Sequence, residues 1–193
     1  MARPRSFDTE AFLDRSLEVF WRRGFAATSM SDIYEATGLG AGSIYSFVKD
    51  KNDLFRQVFE RYGNGFLATL PTDAIGAAAI EKWMGFLSGY LAEDPDRKGC
   101  LIANTIMERF VHAPETLELA EVRVEEVRKW FEQQMIAGQR NGDYRADTDP
   151  AAAASALVAT TLGMMAMARA NASRETLLEI GRNATGQYRA KAR

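Results

Sequence analysis

Residues 28–48 read Thr28-Ser29-Met30-Ser31-Asp32-Ile33-Tyr34-Glu35-Ala36-Thr37-Gly38-Leu39-Gly40-Ala41-Gly42-Ser43-Ile44-Tyr45-Ser46-Phe47-Val48. Ser29 followed three positions later by Asp32 is a capping pair, in which each side chain satisfies an N–H that a helix start leaves open. Ile33 and Ala36 supply a buried face. Thr37-Gly38-Leu39-Gly40 is a turn with one apolar residue to pack inward. A second short helix is expected over about 41–48, with Ile44 and Val48 pointing into the core. Two short helices joined in this way make a helix-turn-helix.

The outer face of the second helix bears on function. Gly42 and Ser43 are small enough to bring backbone close to a groove floor, and Tyr45 and Ser46 carry hydroxyls that can meet phosphates or base edges. Lys49 and Lys51 follow, and Lys51 opens a further helix whose amide end adds to an anion site. Upstream, Arg3 and Arg5 form a short basic arm of the sort that enters a minor groove. Each feature has a bland reading, a solvated face or a solubilising tail. One strip of surface collecting all of them favours DNA. Before this stretch, Phe12, Leu13, Ser16, Leu17, Phe20 and Trp21 recur at helical spacing, and Gly24 stands where a helix ends through positive φ.

Phe7 to Tyr62 resembles the DNA-binding domain of the TetR family of bacterial transcriptional regulators. The resemblance rests on Phe12-Leu13, Leu17, Phe20, Arg23-Gly24-Phe25, Thr28-Ser29, Ile33, Gly38, Gly42-Ser43-Ile44-Tyr45, Lys51 and Leu54-Phe55. It implies that Thr28 and Ser29 cap the second helix against the phosphate backbone. It implies too that Gly42, Ser43, Tyr45 and Ser46 meet DNA and that Lys51 contacts phosphate. Phe47 stands where the family commonly has a polar tyrosine or histidine, so a phosphate hydrogen bond is in doubt there. Val48 replaces a more usual phenylalanine. An all-α fold is implied, with an N-terminal three-helix DNA-binding part and a C-terminal helical part for effector binding and dimerisation.

The rest of the chain agrees with that class. The five prolines all fall between periodic segments, as they do when the intervening segments are helices. Nine helices are expected, at roughly 8–23, 30–37, 41–48, 51–69, 74–92, 99–111, 114–140, 150–170 and 174–190, with β content near nil. Asp73, Asp149 before Pro150, and Ser173 are candidate caps. Residues 1–50 are expected to form the DNA-binding domain (arm 1–7). Residues 51–193 would hold a linking fourth helix and the effector-binding and dimerisation domain. Residues 150–168 carry no charge. Their Ala, Gly, Ser and Thr gain little from hydrocarbon, so a packing helix is favoured over a membrane span. A second subunit is the natural cover, which makes the chain a homodimer through helices about 150–170 and 174–190.

Composition sets the limits. The 193 residues are 47% hydrophobic and 26% charged with a net charge of −2, which excludes a disordered chain and a coat held on nucleic acid by bulk charge. Within residues 1–62 nine basic side chains meet nine acidic ones. Affinity therefore rests on placement, and on two recognition helices of one dimer reading a palindromic operator of double-stranded DNA about one turn apart. A single cysteine and a basic N-terminus leading into no apolar stretch fit a cytoplasmic chain without a signal peptide.

No nucleophile–base–acid set and no Cys/His spacing for zinc is present, so an enzyme has little support, and no cofactor or metal is expected. The resemblance implies an effector cavity between the fifth, sixth, seventh and eighth helices. The candidates to line it are Trp83, Phe86, Tyr90, Met107 and Trp130, with Asn104, Glu108 and His112 as polar fixings. Trp83, Phe86, Leu87 and Tyr90 are read as one face of the fifth helix. Gly99-Cys100 resembles a pair that opens the sixth helix in a family subgroup. A thiol there can become nucleophilic, so Cys100 is either an electrophile sensor or a small buried hydrophobe. The expected function is a sequence-specific regulator, a repressor released by a small-molecule or electrophile effector. Two rival classes are a helical small-molecule binder with a vestigial DNA role and a helical enzyme.

Overall fold

Asp8 opens the first helix: its carboxylate accepts from the Ala11 amide at 3.1 Å, and α1 runs Thr9–Arg23. The structure, a computed structural model, describes residues 8–190. Among these residues the order is α1, α2 (Met30–Thr37), α3 (Ala41–Tyr45), α4 (Lys51–Leu67), α5 (Ala77–Glu93), α6 (Leu101–Met107), α7 (Pro114–Asn141), α8 (Pro150–Arg169) and α9 (Arg174–Gly186), with a 3-10 turn at Arg109–Val111. The one pairing of extended type among the described residues is an isolated bridge between Tyr144 and Arg189.

Sequence caps fix most helix starts. Ser29 and Asp32 form the expected reciprocal box, and Asp50, Asp149 and Ser173 each accept backbone N–H groups at the start of α4, α8 and α9. Around α1–α4 the core is Phe12, Phe20, Ile33, Ile44, Leu54 and Phe55, all 2% exposed or less. Phe20 meets Phe55 edge-on at 5.1 Å. Burial of each such side chain contributes roughly 1.5–3 kcal/mol. A second centre forms where α5 packs on α7 and α9, around Ile80, Trp83, Leu87 and Phe131. α4 runs between the two and touches α1, α6 and α7.

Several boundaries differ from the sequence reading. The third helix closes at Tyr45 rather than about 48, and Ser46 to Val48 complete it as a turn bonded back to Gly42 and Ile44. Asp73 caps nothing. α5 starts three residues later than expected, at Ala77, because the Gly76 amide is taken by Gln134 at 2.9 Å, while Asp73 pairs with Lys82. Gly76 has φ 65°, and a Cβ there would lie 3.1 Å from the Gly138 Cα, so only glycine fits without strain. The sixth segment is α6 plus the 3-10 turn instead of one helix over 99–111. The fourth helix stops at Leu67, short of 69. The ninth ends at Gly186 rather than 190, because the chain leaves it to pair with the α7–α8 loop through Arg145 N to Tyr188 O and Ala190 N to Asp143 O, both 3.0 Å.

One face of α8 is buried through residues such as Leu157, Val158, Met164 and Met165, against α7 and α9. The other exposes Ala152, Ala156, Ala159, Gly163, Ala166 and Met167. By length and composition α8 could cross a membrane, but its partners are helices of the same chain.

Candidate nucleic-acid interface

Ile44 and Val48 seat α3 on the core, 0% and 2% exposed, which leaves Gly42, Ser43, Tyr45 and Ser46 outward. Ser46 Oγ donates to the Ser43 carbonyl at 2.7 Å. Tyr45 is 50% exposed, and the hydroxyl of Tyr34, on α2, is in hydrogen-bond contact with it. That bond, and secondarily partial burial, raises the Tyr34 pKa. The two tyrosines thus form one phenolic pair across the turn. Sequence reading missed Tyr34, although its position one residue after the buried Ile33 was a signal that it lies off the core face.

The start of α2 is held rigidly. Ser29 Oγ accepts from the Asp32 amide at 3.2 Å, and Asp32 Oδ2 accepts from the Ser29 amide at 2.7 Å. Arg23 of α1 pairs with the same carboxylate. The Ser29 hydroxyl first, then the Ser29 amide and Arg23, hold the Asp32 carboxyl below its usual range. Arg15 donates to the Thr37 carbonyl at 3.1 Å, tying the end of α2 back to α1.

Three of the expected DNA contacts point inward instead. Thr28 is 1% exposed and its hydroxyl donates to the Gly24 carbonyl at 2.8 Å, so it caps the α1–α2 turn, whereas Ser29 caps α2. Phe47 is half-buried with its ring edge-on to Phe12 at 5.8 Å. Lys51 places its ammonium on the carbonyls of Phe25 (3.0 Å) and Thr28 (2.9 Å), 4.2 Å above the Phe25 ring. In the α1–α2 turn the Phe25 carbonyl accepts from the Thr28 amide at 3.3 Å, and Lys51 adds a second donor there and supplies one to the Thr28 carbonyl. Lys49 is exposed. Arg3 and Arg5 lie outside the described residues.

The expected effector set divides into four places. Trp83 is fully buried, donates from Nε1 to Thr69 Oγ1 at 3.0 Å and packs on Trp130 and Phe131, so it is core, with the half-buried Trp130 beside it. Phe86 and Tyr90, 48% and 42% exposed, share the arc of α5 that carries Trp83 and Leu87, as the spacing predicts, but reach the surface, where with Leu87 they line a cleft. Met107 is exposed on α6. Asn104, Glu108 and His112 line a small cleft of about 50 Å³ with Arg23, Gly24 and Phe55, at the joint between α1, α4 and α6. There His112 lies 5.0 Å from the Phe25 ring and 4.9 Å from the Phe55 ring. Burial first, and the Lys51 charge second, push its pKa down. The same joint carries ions: Lys98 reaches Glu18 at 3.2 Å and Asp94 at 3.5 Å, and Arg22 meets Asp96 at 2.6 Å.

Between α6, α7 and α8 one cavity of about 20 Å³, lined by Cys100, Val124, Val158 and Leu162 among others, has room for about one water molecule, and a more open one of about 280 Å³ is lined by Ile106, Leu117, Glu121, Val124 and Leu162. Cys100 is 2% exposed, and burial pushes its thiol up. It therefore has the inert, buried character of the second sequence alternative. A larger concavity, a cleft of about 730 Å³, opens between α1, α4 and α5 and is lined by Trp21, Tyr62, Phe66, Phe86 and Tyr90 with Asp14 and Arg61.

With this geometry in view, two family models match. Residues 12–58 match bacterial regulatory proteins of the tetR family, and residues 76–183 match the tetracyclin repressor-like C-terminal domain. The chain is 27% identical over 184 residues to the HTH-type transcriptional repressor ComR of Escherichia coli, covering 92% of this chain and 87% of that one. It is 28% identical over 182 residues to the HTH-type transcriptional regulator YezE of Bacillus subtilis, covering 92% and 94%. Among solved structures, a cysteine variant of the regulator CifR bound to 26-base-pair operator DNA superposes with a TM-score of 0.83 at 25% identity, covering 97% of this chain and all of that one. A regulatory protein from Rhodobacter sphaeroides gives 0.86 at 20% identity, covering 95% and 100%, and supports the fold alone.

Proposed function

The chain belongs to the TetR family of bacterial transcriptional regulators, and from that premise we propose that it represses transcription by binding a palindromic operator as a homodimer. Residues 1–50 form the DNA-binding domain in this reading, and residues 51–193 carry effector binding and dimerisation. The carrying observation is α3: five residues long, locked at Ile44, with Gly42, Ser43, Tyr45 and Ser46 turned outward. Gly42 and Ser43 let the backbone approach a groove floor, and Tyr45 and Ser46 supply donors and acceptors for phosphate and base edges. Ser29 and Lys49 add phosphate contacts. CifR bound to operator DNA and ComR named as a repressor are relatives that support the reading.

The exposed small residues of α8 support dimerisation, since a surface of Ala and Gly lets a second helix approach closely and α9 packs alongside. An effector that binds better to a spacing of the two α3 helices unsuited to DNA shifts the dimer population and frees the operator. A differential of about 1–3 kcal/mol suffices to change occupancy 5–150-fold. Comparing a selected palindrome with its isolated half-site by fluorescence anisotropy tests the dimeric reading. Two chains per palindrome with much tighter binding than to the half-site is expected; equal affinity for both would refute it.

A further inference from the structure

We infer that the 730 Å³ cleft between α1, α4 and α5 binds planar aromatic organic cations. Its size lies within the range of small-molecule sites, roughly 300–1,000 Å³. Its walls are aromatic and contributed by three helices: Trp21 from α1, Tyr62 and Phe66 from α4, Phe86 and Tyr90 from α5. These rings form two nearly parallel pairs. Tyr62 and Phe66 are 6.2 Å apart with 15° between planes, and Phe86 and Tyr90 are 6.0 Å apart with 21°. Phe86 and Tyr90 are nearly half exposed although they share an arc of α5 with the buried Trp83 and Leu87. A flat ligand can cover them by stacking, which removes more apolar area from water than an irregular one.

Charge selects the sign. At one end of the cleft Arg61 is shared by Asp14 (2.6 Å) and Glu10. Outside the lining, near Trp21 and Tyr90, Glu18, Asp94 and Asp96 face Arg22 and Lys98, whose ammonium lies 5.1 Å from the Trp21 ring. Within the lining Asp14 and Arg61 balance, and the two ion-pair groups taken whole, five acids against three bases, carry a net charge of −2. Aromatic faces present negative potential to a cation, and a negative surround adds to it. Tyr90 feels that surround: burial first, and then nearby groups including Asp94 and Glu18, push its hydroxyl up to about 12. It therefore remains a neutral ring.

The position has a regulatory consequence. Leu17 and Trp21 of the cleft belong to the helix that packs on α2, while Phe86 and Tyr90 belong to the helix that packs on α7 and α9. A ligand between them acts as a wedge on the angle of α1. This consequence rests on the regulatory reading above; the binding itself does not.

Two probes of matched size test the class: N-methylquinolinium, a permanent cation, and 4-methylquinoline, neutral at pH 7.5. Titrated calorimetrically into the full chain, the cation should bind about tenfold or more tightly than the neutral ring. Phe86→Ala and Tyr90→Ala, both at exposed positions, should weaken the cation about tenfold at unchanged melting temperature, and Asp14→Asn should narrow the gap between the probes. Equal binding of the two probes, no binding of either up to about 1 mM, or indifference to both alanine variants overturns the inference. Anisotropy on operator DNA is read in parallel without ligand. Failure of the probes with DNA binding intact refutes the cleft alone; failure of DNA binding with probes bound refutes the regulatory reading alone.

Discussion

Replacing Lys51 by Met keeps the aliphatic stem and removes the ammonium. Two part-buried carbonyls, of Phe25 and Thr28, then lose the donor that now reaches them at 3.0 and 2.9 Å. A carbonyl left partly unsatisfied costs about 1 kcal/mol, and loss of the cation above the Phe25 ring adds about 0.5–1 kcal/mol. The sum is roughly 2–3 kcal/mol, a large share of a typical folding stability of about 5–15 kcal/mol. With a urea slope of about 2 kcal/mol/M the unfolding midpoint should fall by about 1–1.5 M at fixed protein concentration. A lysine serving DNA alone behaves differently: its removal would leave the midpoint in place and reduce the salt slope of DNA binding by about one charge. A midpoint shift below about 0.3 M would refute the internal role.

His112 gives a pH signature. Its pKa in the fold lies below the ordinary 6.5, through burial first and the Lys51 charge second, so the unfolded chain binds more protons in that window. The stability it contributes is fully present above pH 6.5 and is lost as pH falls toward the folded value. His112→Gln should flatten the stability profile between about pH 7 and 5.5 relative to the parent; an unchanged slope would place the effect elsewhere. Ile44→Ala should cost about 2–5 kcal/mol, because the side chain is fully buried, and should weaken DNA binding by loosening α3. Stopped-flow labelling of Cys100 by a maleimide at pH 7.5 should run on the order of 10²-fold slower in the native than in the unfolded chain. Comparable rates would reopen the sensing role.

Where a structural signal is local, the sequence carries it. The Ser29–Asp32 box and the Asp149-Pro150 and Ser173 starts are written within a few residues, and α2, α7, α8 and α9 begin where those residues and Pro114 dictate. What is set by distant partners is not legible. Gln134, 58 positions away, decides where α5 begins, and Tyr144 and Arg145 decide where α9 stops. Lys51 announces a charge but not that Phe25 and Thr28 consume it. The candidate ligand site divides by depth rather than by helical phase: Trp83, Phe86, Leu87 and Tyr90 share one arc of α5, yet Trp83 and Leu87 are buried while Phe86 and Tyr90 stay nearly half exposed along the cleft with α1 and α4. All four are apolar enough for either depth, so only the packing of three separate helices separates them.

Sequence-specific recognition through α3 is tested most directly by selecting sheared genomic DNA on the purified chain and on Tyr45→Ala, at low and moderate salt. The account predicts that the parent enriches one palindromic site at both salt levels and that Tyr45→Ala loses it while remaining folded. No enrichment above background by the parent, or the same site recovered undiminished by Tyr45→Ala, would contradict it.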